Sequence, residues 1–277
     1  MQYKFLPTLV ALLLTTVCFS QPKGKLFIIG GGSRPDAMIA RLIKESGIDK
    51  GGYGIVLPMS SATQDSSVYY ANEKFIAQGF TLKGVFFTKP AQVNKQKTDS
   101  VRNAKLIYIT GGDQVRFMGI VGGTPVEAAI LEAYRNGATI AGTSAGAAVM
   151  SKIMITGNQL KHPDYESTFS SIEEKNLETS RGLGLLENVI VDQHFLARSR
   201  HNRLITAVIE FDNVMGVGID ESTAILVVGK DAEVIGDAQV IVLTNPTQSR
   251  RSVNGILGAK DLRMTVYLPG DHFALPK

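Results

Sequence analysis

One serine of this 277-residue chain stands between glycines where an apolar run ends, in "ATIAGTSAGAAVM", residues 138–150. Gly142-Thr143-Ser144-Ala145-Gly146 fits the G-x-S-x-G arrangement, in which a sharp strand-to-helix turn lifts a hydroxyl clear of a sheet. Small neighbours are needed there because the turn leaves no room for side chains. In that setting Ser144 is a candidate nucleophile. The Ala145 N–H is then a candidate donor to the oxyanion formed when the serine attacks a carbonyl. The same five letters also make a plain tight turn, so the groups available to the hydroxyl decide between the two.

A nucleophilic serine needs a base, and the chain has four histidines: His162, His194, His201 and His272. His194 follows "ENVIVDQ" (187–193) and falls at the tip of an expected strand. Arg198, Arg200 and Arg203 come next. A helix over 197–210 would put Arg200 and Arg203 on one face, with Arg198 elsewhere unless it precedes the first turn. Guanidinium forks match carboxylates through two parallel bonds, so beside the best base these residues read as a clamp for acidic groups. Asp220 and Glu221, after "GVGI", are the candidates to orient the histidine. Adjacent strand residues point to opposite faces, so only one of them can readily do so.

Two glycine runs also follow strands. "GGDQ" (111–114) can aim backbone N–H groups at a developing negative charge, and Gln114 offers both a donor and an acceptor. "GGGSRP", from Gly30, lacks both the dinucleotide spacing and the Lys-Ser/Thr ending of a phosphate loop. It reads as a turn needing backbone freedom. A phosphate cradle, or glycines admitting a substrate to the sheet edge, are the alternatives.

The elements that must position these residues alternate in type. Strands are expected over 25–30, 53–58, 80–87, 105–110 and 138–143, with helices over 35–46, 67–79 and 124–137. Near-continuous apolar strands with helices between them predict an α/β fold with a mostly parallel sheet covered on both faces. Ligands then bind beyond the strands' carboxyl ends. From 211 to 243 short runs with tight turns predict an antiparallel C-terminal extension. The polar stretch 157–181 reads as a surface flap, and the basic "QSRRSVNGILGAKDLR" (248–263) has no assigned place.

Residues 1–20 read as a signal peptide, with a short apolar core in "TLVALLLTTV" and a small residue at its end. Cleavage after Ser20 and export are expected, leaving a single domain over 21–277 with no membrane attachment. The sole cysteine, Cys18, would leave with the segment, so covalent chemistry would use oxygen or nitrogen. A net charge of +4, 7% aromatics and no Trp make nucleic acid a poor partner.

Four segments together, "GGDQ", "GTSAGA" (142–147), "DQHF" (192–195) with its trailing arginines, and "GIDESTA" (218–224), resemble the cyanophycinase branch of the S51 serine peptidases, relatives of the aspartyl dipeptidases. The resemblance implies Ser144 as nucleophile, His194 as general base and Glu221 as orienting acid. It puts Gly112 and Ala145 in the oxyanion hole, and Gln114, Asp192, Gln193, Arg198, Arg200 and Arg203 in the substrate site. It implies a flavodoxin-like sandwich akin to class I glutamine amidotransferases, often a homodimer, working without metal or cofactor. The implied substrate is an aspartate-backbone polymer bearing arginines, released as β-Asp-Arg dipeptides. The arginines would hold its carboxylates and Asp192 would meet its guanidinium. Three alternatives remain: an isoaspartyl dipeptidase of the same family, an α/β-hydrolase esterase using Asp220 and His272, and a non-catalytic binder of acidic or arginine-rich peptides.

Overall fold

In the computed structural model of the chain, residues 24–88, 94–164 and 169–276 are described; the expected signal peptide, with Cys18, lies outside them. Strand β1 (Lys25–Ile29) explains the architecture in miniature. Its Leu26 and Ile28 enter one apolar cluster and its Phe27 and Ile29 enter another, so the strand is buried on both faces. The chain then alternates as expected: α1 (Asp36–Ser46), β2 (Gly54–Leu57), α2 (Gln64–Ile76), β3 (Lys83–Gly84), α3 (Lys95–Arg102), β4 (Leu106–Ile109), α4 (Gln114–Val121), α5 (Pro125–Arg135) and β5 (Thr139–Thr143). Pro125 opens α5 at a position that needs no N–H, and the Thr124 hydroxyl accepts from Val126 N.

β5 runs into a single helical turn, α6 (Ala145–Ala148), followed by β6 (Ile153–Gln159), β7 (Leu177–Arg181), β8 (Val189–Gln193), α7 (His201–Glu210) and β9 (Met215–Ile219). The chain closes with β10 (Thr223–Val228), β11 (Asp231–Gly236), β12 (Val240–Thr244), β13 (Arg251–Val253), β14 (Ile256–Gly258), β15 (Arg263–Tyr267) and β16 (His272–Ala274). The main sheet has the order β16-β11-β10-β1-β5-β4-β2-β3, parallel from β1 to β3 and antiparallel from β1 to β16. A second sheet, β15-β12-β9-β8, shares the first sheet's apolar cluster: Val191, Val217 and Val242 pack in one core with Ile28 and Ile140.

The structure corrects two expectations and refines a third. The strand over 80–87 shrinks to β3; just before it the Asn72 side chain takes both backbone groups of Leu82, donating to its carbonyl and accepting its N–H. The expected antiparallel C-terminal extension is present, but 211–243 divides between two sheets. β10 and β11 continue the main sheet, while β9 pairs parallel with β8 and antiparallel with β12 in the second. The helix over 197–210 starts only at His201, because residues 194–200 form turns closed by Arg198 N to His194 O and Arg200 N to Phe195 O. The stretch read as a flap is bounded by the hairpin of β6 and β7, and β13 and β14 form a second hairpin in the basic segment.

Candidate active site

The turn after β5 puts Ser144 at φ 53°, a conformation rare for a side-chain-bearing residue. Its glycines have specific reasons. A Cβ on Gly142 would lie 2.2 Å from the Gly146 carbonyl oxygen, and one on Gly146 would lie 2.3 Å from that of Ile109 in β4. The elbow is therefore folded against itself and against the neighbouring strand.

His194 follows β8, and its Nε2 lies 2.8 Å from Ser144 Oγ. Its Nδ1 lies 2.5 Å from Glu221 Oε1. An ionised carboxylate can only accept, so Nδ1–H donates to Glu221 and the neutral ring presents its Nε2 lone pair to the serine hydroxyl. Burial holds the His194 imidazole below its ordinary range. The Arg198 and Arg200 charges push the same way, and the hydrogen bond and charge of Glu221 oppose them. The base is thus neutral, and competent to take a proton, at neutral pH.

Asp220 does something else. Its Oδ1 accepts the N–H groups of Leu196 and Ala197, pinning the turn that carries His194. His272, the other histidine considered for the serine, is bonded instead to Asp231 at the exposed edge of the main sheet. The Ser-acid-His order of an esterase is therefore not assembled around Ser144.

The loop after β1 gathers these groups, which the sequence did not reveal. Three consecutive carbonyls accept from the three site segments: Ile29 O from Ser144 N, Gly30 O from His194 N and Gly31 O from Ser222 N, all between 2.8 and 3.0 Å. A Cβ on Gly31 would sit 2.3 Å from His194 Cε1, and one on Gly32 would sit 2.7 Å from Glu221 Cβ. Gly30–Gly32 is neither a phosphate cradle nor a bare turn. It is the floor on which the imidazole and the carboxylate rest.

A cavity of about 570 Å³ opens beside Ser144. Gly112 lines it, and like Ala145 its N–H donates to no acceptor among the described residues. Asp113 caps α4 by accepting from Val115 N and Arg116 N, which fixes Gln114 next to it. Gln114 spends both amide hydrogens on the carbonyls of Ile155 and Thr156, tying α4 to β6; only its Oε1 is left for a ligand.

Gln193, Arg198, Arg200 and Arg203 form one wall of the cavity. Arg200 Nη1 donates to the backbone and side-chain oxygens of Gln193. Arg203, on α7, grips Asp192 through Nε and Nη2. Asp192 is completely buried, so the expectation that it meets a substrate guanidinium fails. A carboxylate with no exposed surface and a bidentate arginine partner serves to hold Arg203 in place. Arg198 precedes the first turn of α7 and joins the other two arginines at the cavity.

The hairpin of β6 and β7 also lines the cavity, through Thr156, Gly157, Asn158, Glu178, Thr179 and Ser180. None of these was a candidate from sequence. The available signal was short alternating polar runs, "ITGNQ" and "LETSR", flanking the polar stretch. Among the described residues no group of histidine, cysteine and carboxylate side chains is arranged to hold a metal ion.

Comparison with known proteins sets this geometry in context. The chain matches Peptidase family S51 over residues 26–235. It is 38% identical over 177 residues to a cyanophycinase of Trichormus variabilis, covering 61% of this chain and 56% of that protein. It is 34% identical over 189 residues to a cyanophycinase of Geminocystis herdmanii, covering 65% and 66%. The matched segment thus spans little more than half to two thirds of these relatives. A crystal structure of a peptidase from an acI-B1 actinobacterium superimposes with a TM-score of 0.68 at 20% identity, covering 92% of this chain and 98% of that one, and establishes the shared fold.

Proposed function

The chain belongs to peptidase family S51, and on that footing we propose that Ser144 cleaves an aspartate-backbone, arginine-bearing peptide polymer through an acyl-enzyme. The observation that carries this reading is the hydrogen-bonded row Ser144–His194–Glu221 at the head of a cavity walled by three arginines. The relatives named cyanophycinase supply the substrate class.

In the proposed mechanism Ser144 Oγ attacks the scissile carbonyl carbon while its proton passes to His194 Nε2. The carbonyl π electrons move to oxygen, and that oxyanion accepts the N–H groups of Gly112 and Ala145. Glu221 stabilises the imidazolium. The C–N bond then breaks, with the proton on Nε2 going to the leaving amine. Water, deprotonated by the same nitrogen, attacks the ester, and the serine leaves with its proton restored. Arg198, Arg200 and Arg203 hold substrate carboxylates, the last two through guanidinium groups oriented by Gln193 and Asp192. The tail of the reading is export: residues 1–20 would direct the enzyme to polymer outside the cytoplasm.

The test is product analysis by mass spectrometry after incubation with purified cyanophycin, wild type against S144A. β-Asp-Arg released by the wild type and absent with S144A supports the reading. No release by the wild type, or equal release by both proteins, overturns it.

A further inference from the structure

The cavity carries both signs of charge, and they do not cancel. Among the described residues, the Arg198 guanidinium has no hydrogen-bond or ion-pair partner. The same holds for Oε1 of Glu178 on the hairpin that lines the same cavity, and Glu178 forms no ion pair with any of the three arginines. Arg203, by contrast, is committed to Asp192 and Arg200 to Gln193. Among the described lining residues the other carboxylate, Asp113, is occupied as the cap of α4.

Glu178 is also held in position. Its Oε2 accepts from the Thr156 hydroxyl at 2.5 Å and from Asn158 Nδ2 at 2.8 Å, both on β6. Gln114 anchors that strand to α4. One carboxylate oxygen is therefore fixed by two donors while its twin is left to the cavity. A pre-oriented carboxylate lining the same cavity as an unpaired guanidinium fits an occupant that carries a cation and an anion on one unit.

We propose that Glu178 is the seat for the cationic side chain of the substrate unit, and so the residue that makes this site select a guanidinium-bearing peptide over a neutral one. The proposal rests on the substrate reading above and assigns the recognition once expected of Asp192 to the hairpin wall. Glu178 is a binding residue here; it takes no part in bond breaking.

The experiment is binding of two synthetic peptides, (β-Asp-Arg)3 and its neutral citrulline isostere, to S144A and to S144A/E178Q by calorimetry. Glutamine keeps an oxygen for Thr156 and Asn158, so the hairpin is retained. S144A should bind the arginine peptide about ten- to a hundredfold more tightly than the citrulline peptide, and S144A/E178Q should bind the two alike. A preference that survives E178Q, or no preference in S144A, overturns the proposal. The peptidase reading fails separately: wild type that binds with the Glu178-dependent preference but releases no fragment sinks the hydrolase and leaves the seat. Cleavage with no Glu178 dependence does the reverse.

Discussion

Two of the histidine–carboxylate pairs among the described residues, His194–Glu221 and His272–Asp231, differ in a way that shows what makes such a pair chemical. His194 and Glu221 meet at 2.5 Å, with the histidine side chain 9% exposed and its far nitrogen against a hydroxyl. His272 and Asp231 meet at 2.8 Å, but both side chains are more than half exposed, on the outermost strands of the main sheet. The bonds are similar in kind. What differs is that the first ring is desolvated, flanked by arginines and seated on glycines, whereas the second stands in water. An exposed pair is screened and contributes little to stability.

The sharpest way to break this comparison is to remove each ring in turn. H194A should lower kcat/KM by about 10⁴–10⁶-fold in a peptidase assay, as loss of a triad base does, and H272A should leave it unchanged. If H272A is the inactive one, the assignment of the base is wrong. Next comes the carboxylate: E221Q should cost about 10³–10⁴-fold in kcat with the fold intact by circular dichroism. D231N should change stability by no more than about 0.5 kcal/mol in urea melts.

A smaller effect sharpens the role of the seat. G31A puts a methyl into the His194 ring at a φ of 120°, so kcat/KM should fall about 10²-fold, with a loss of stability of about 1–3 kcal/mol. Retained activity would mean the ring does not need that floor.

The smallest effect is in the pH profile. His194 must be neutral to act, and burial with two nearby arginines lowers its pKa. The acid limb of kcat/KM therefore lies below the ordinary histidine range; activity is present above that limb and is lost as pH falls through it. R198Q removes one of the lowering charges, so its limb should move to higher pH. E221Q removes a raising partner, so its residual activity should show a limb at lower pH. A limb that moves the other way in either variant would remove His194 as the titrating group.

Much of this was legible in the residues. The elbow at Ser144 announced itself because its glycines, strand and turn are contiguous, and "DQHF" put His194 at a strand tip for the same reason. What escaped notice depends on contacts between distant segments. Gly31 reads as a turn residue until His194, far along the chain, is found lying on it. Asp192 reads as a ligand for substrate because strand alternation cannot tell a cavity wall from a sealed interior, and only the packing of α7 puts Arg203 across it. Glu178 lies in a polar stretch that reads as a flap, since nothing local distinguishes a wall from a loop.

The three consecutive carbonyls at the end of β1 and just beyond it have one more consequence. Because residues 29 and 30 hold the nucleophile and the base and residue 31 holds Ser222, next to the acid, the spacing between those members is measured out in peptide units of a single segment. Lengthening or shortening that segment by one residue would throw nucleophile, base and acid out of step together, whatever their side chains. Here the ruler for the chemistry is main-chain count, laid down when the first strand finds its neighbours.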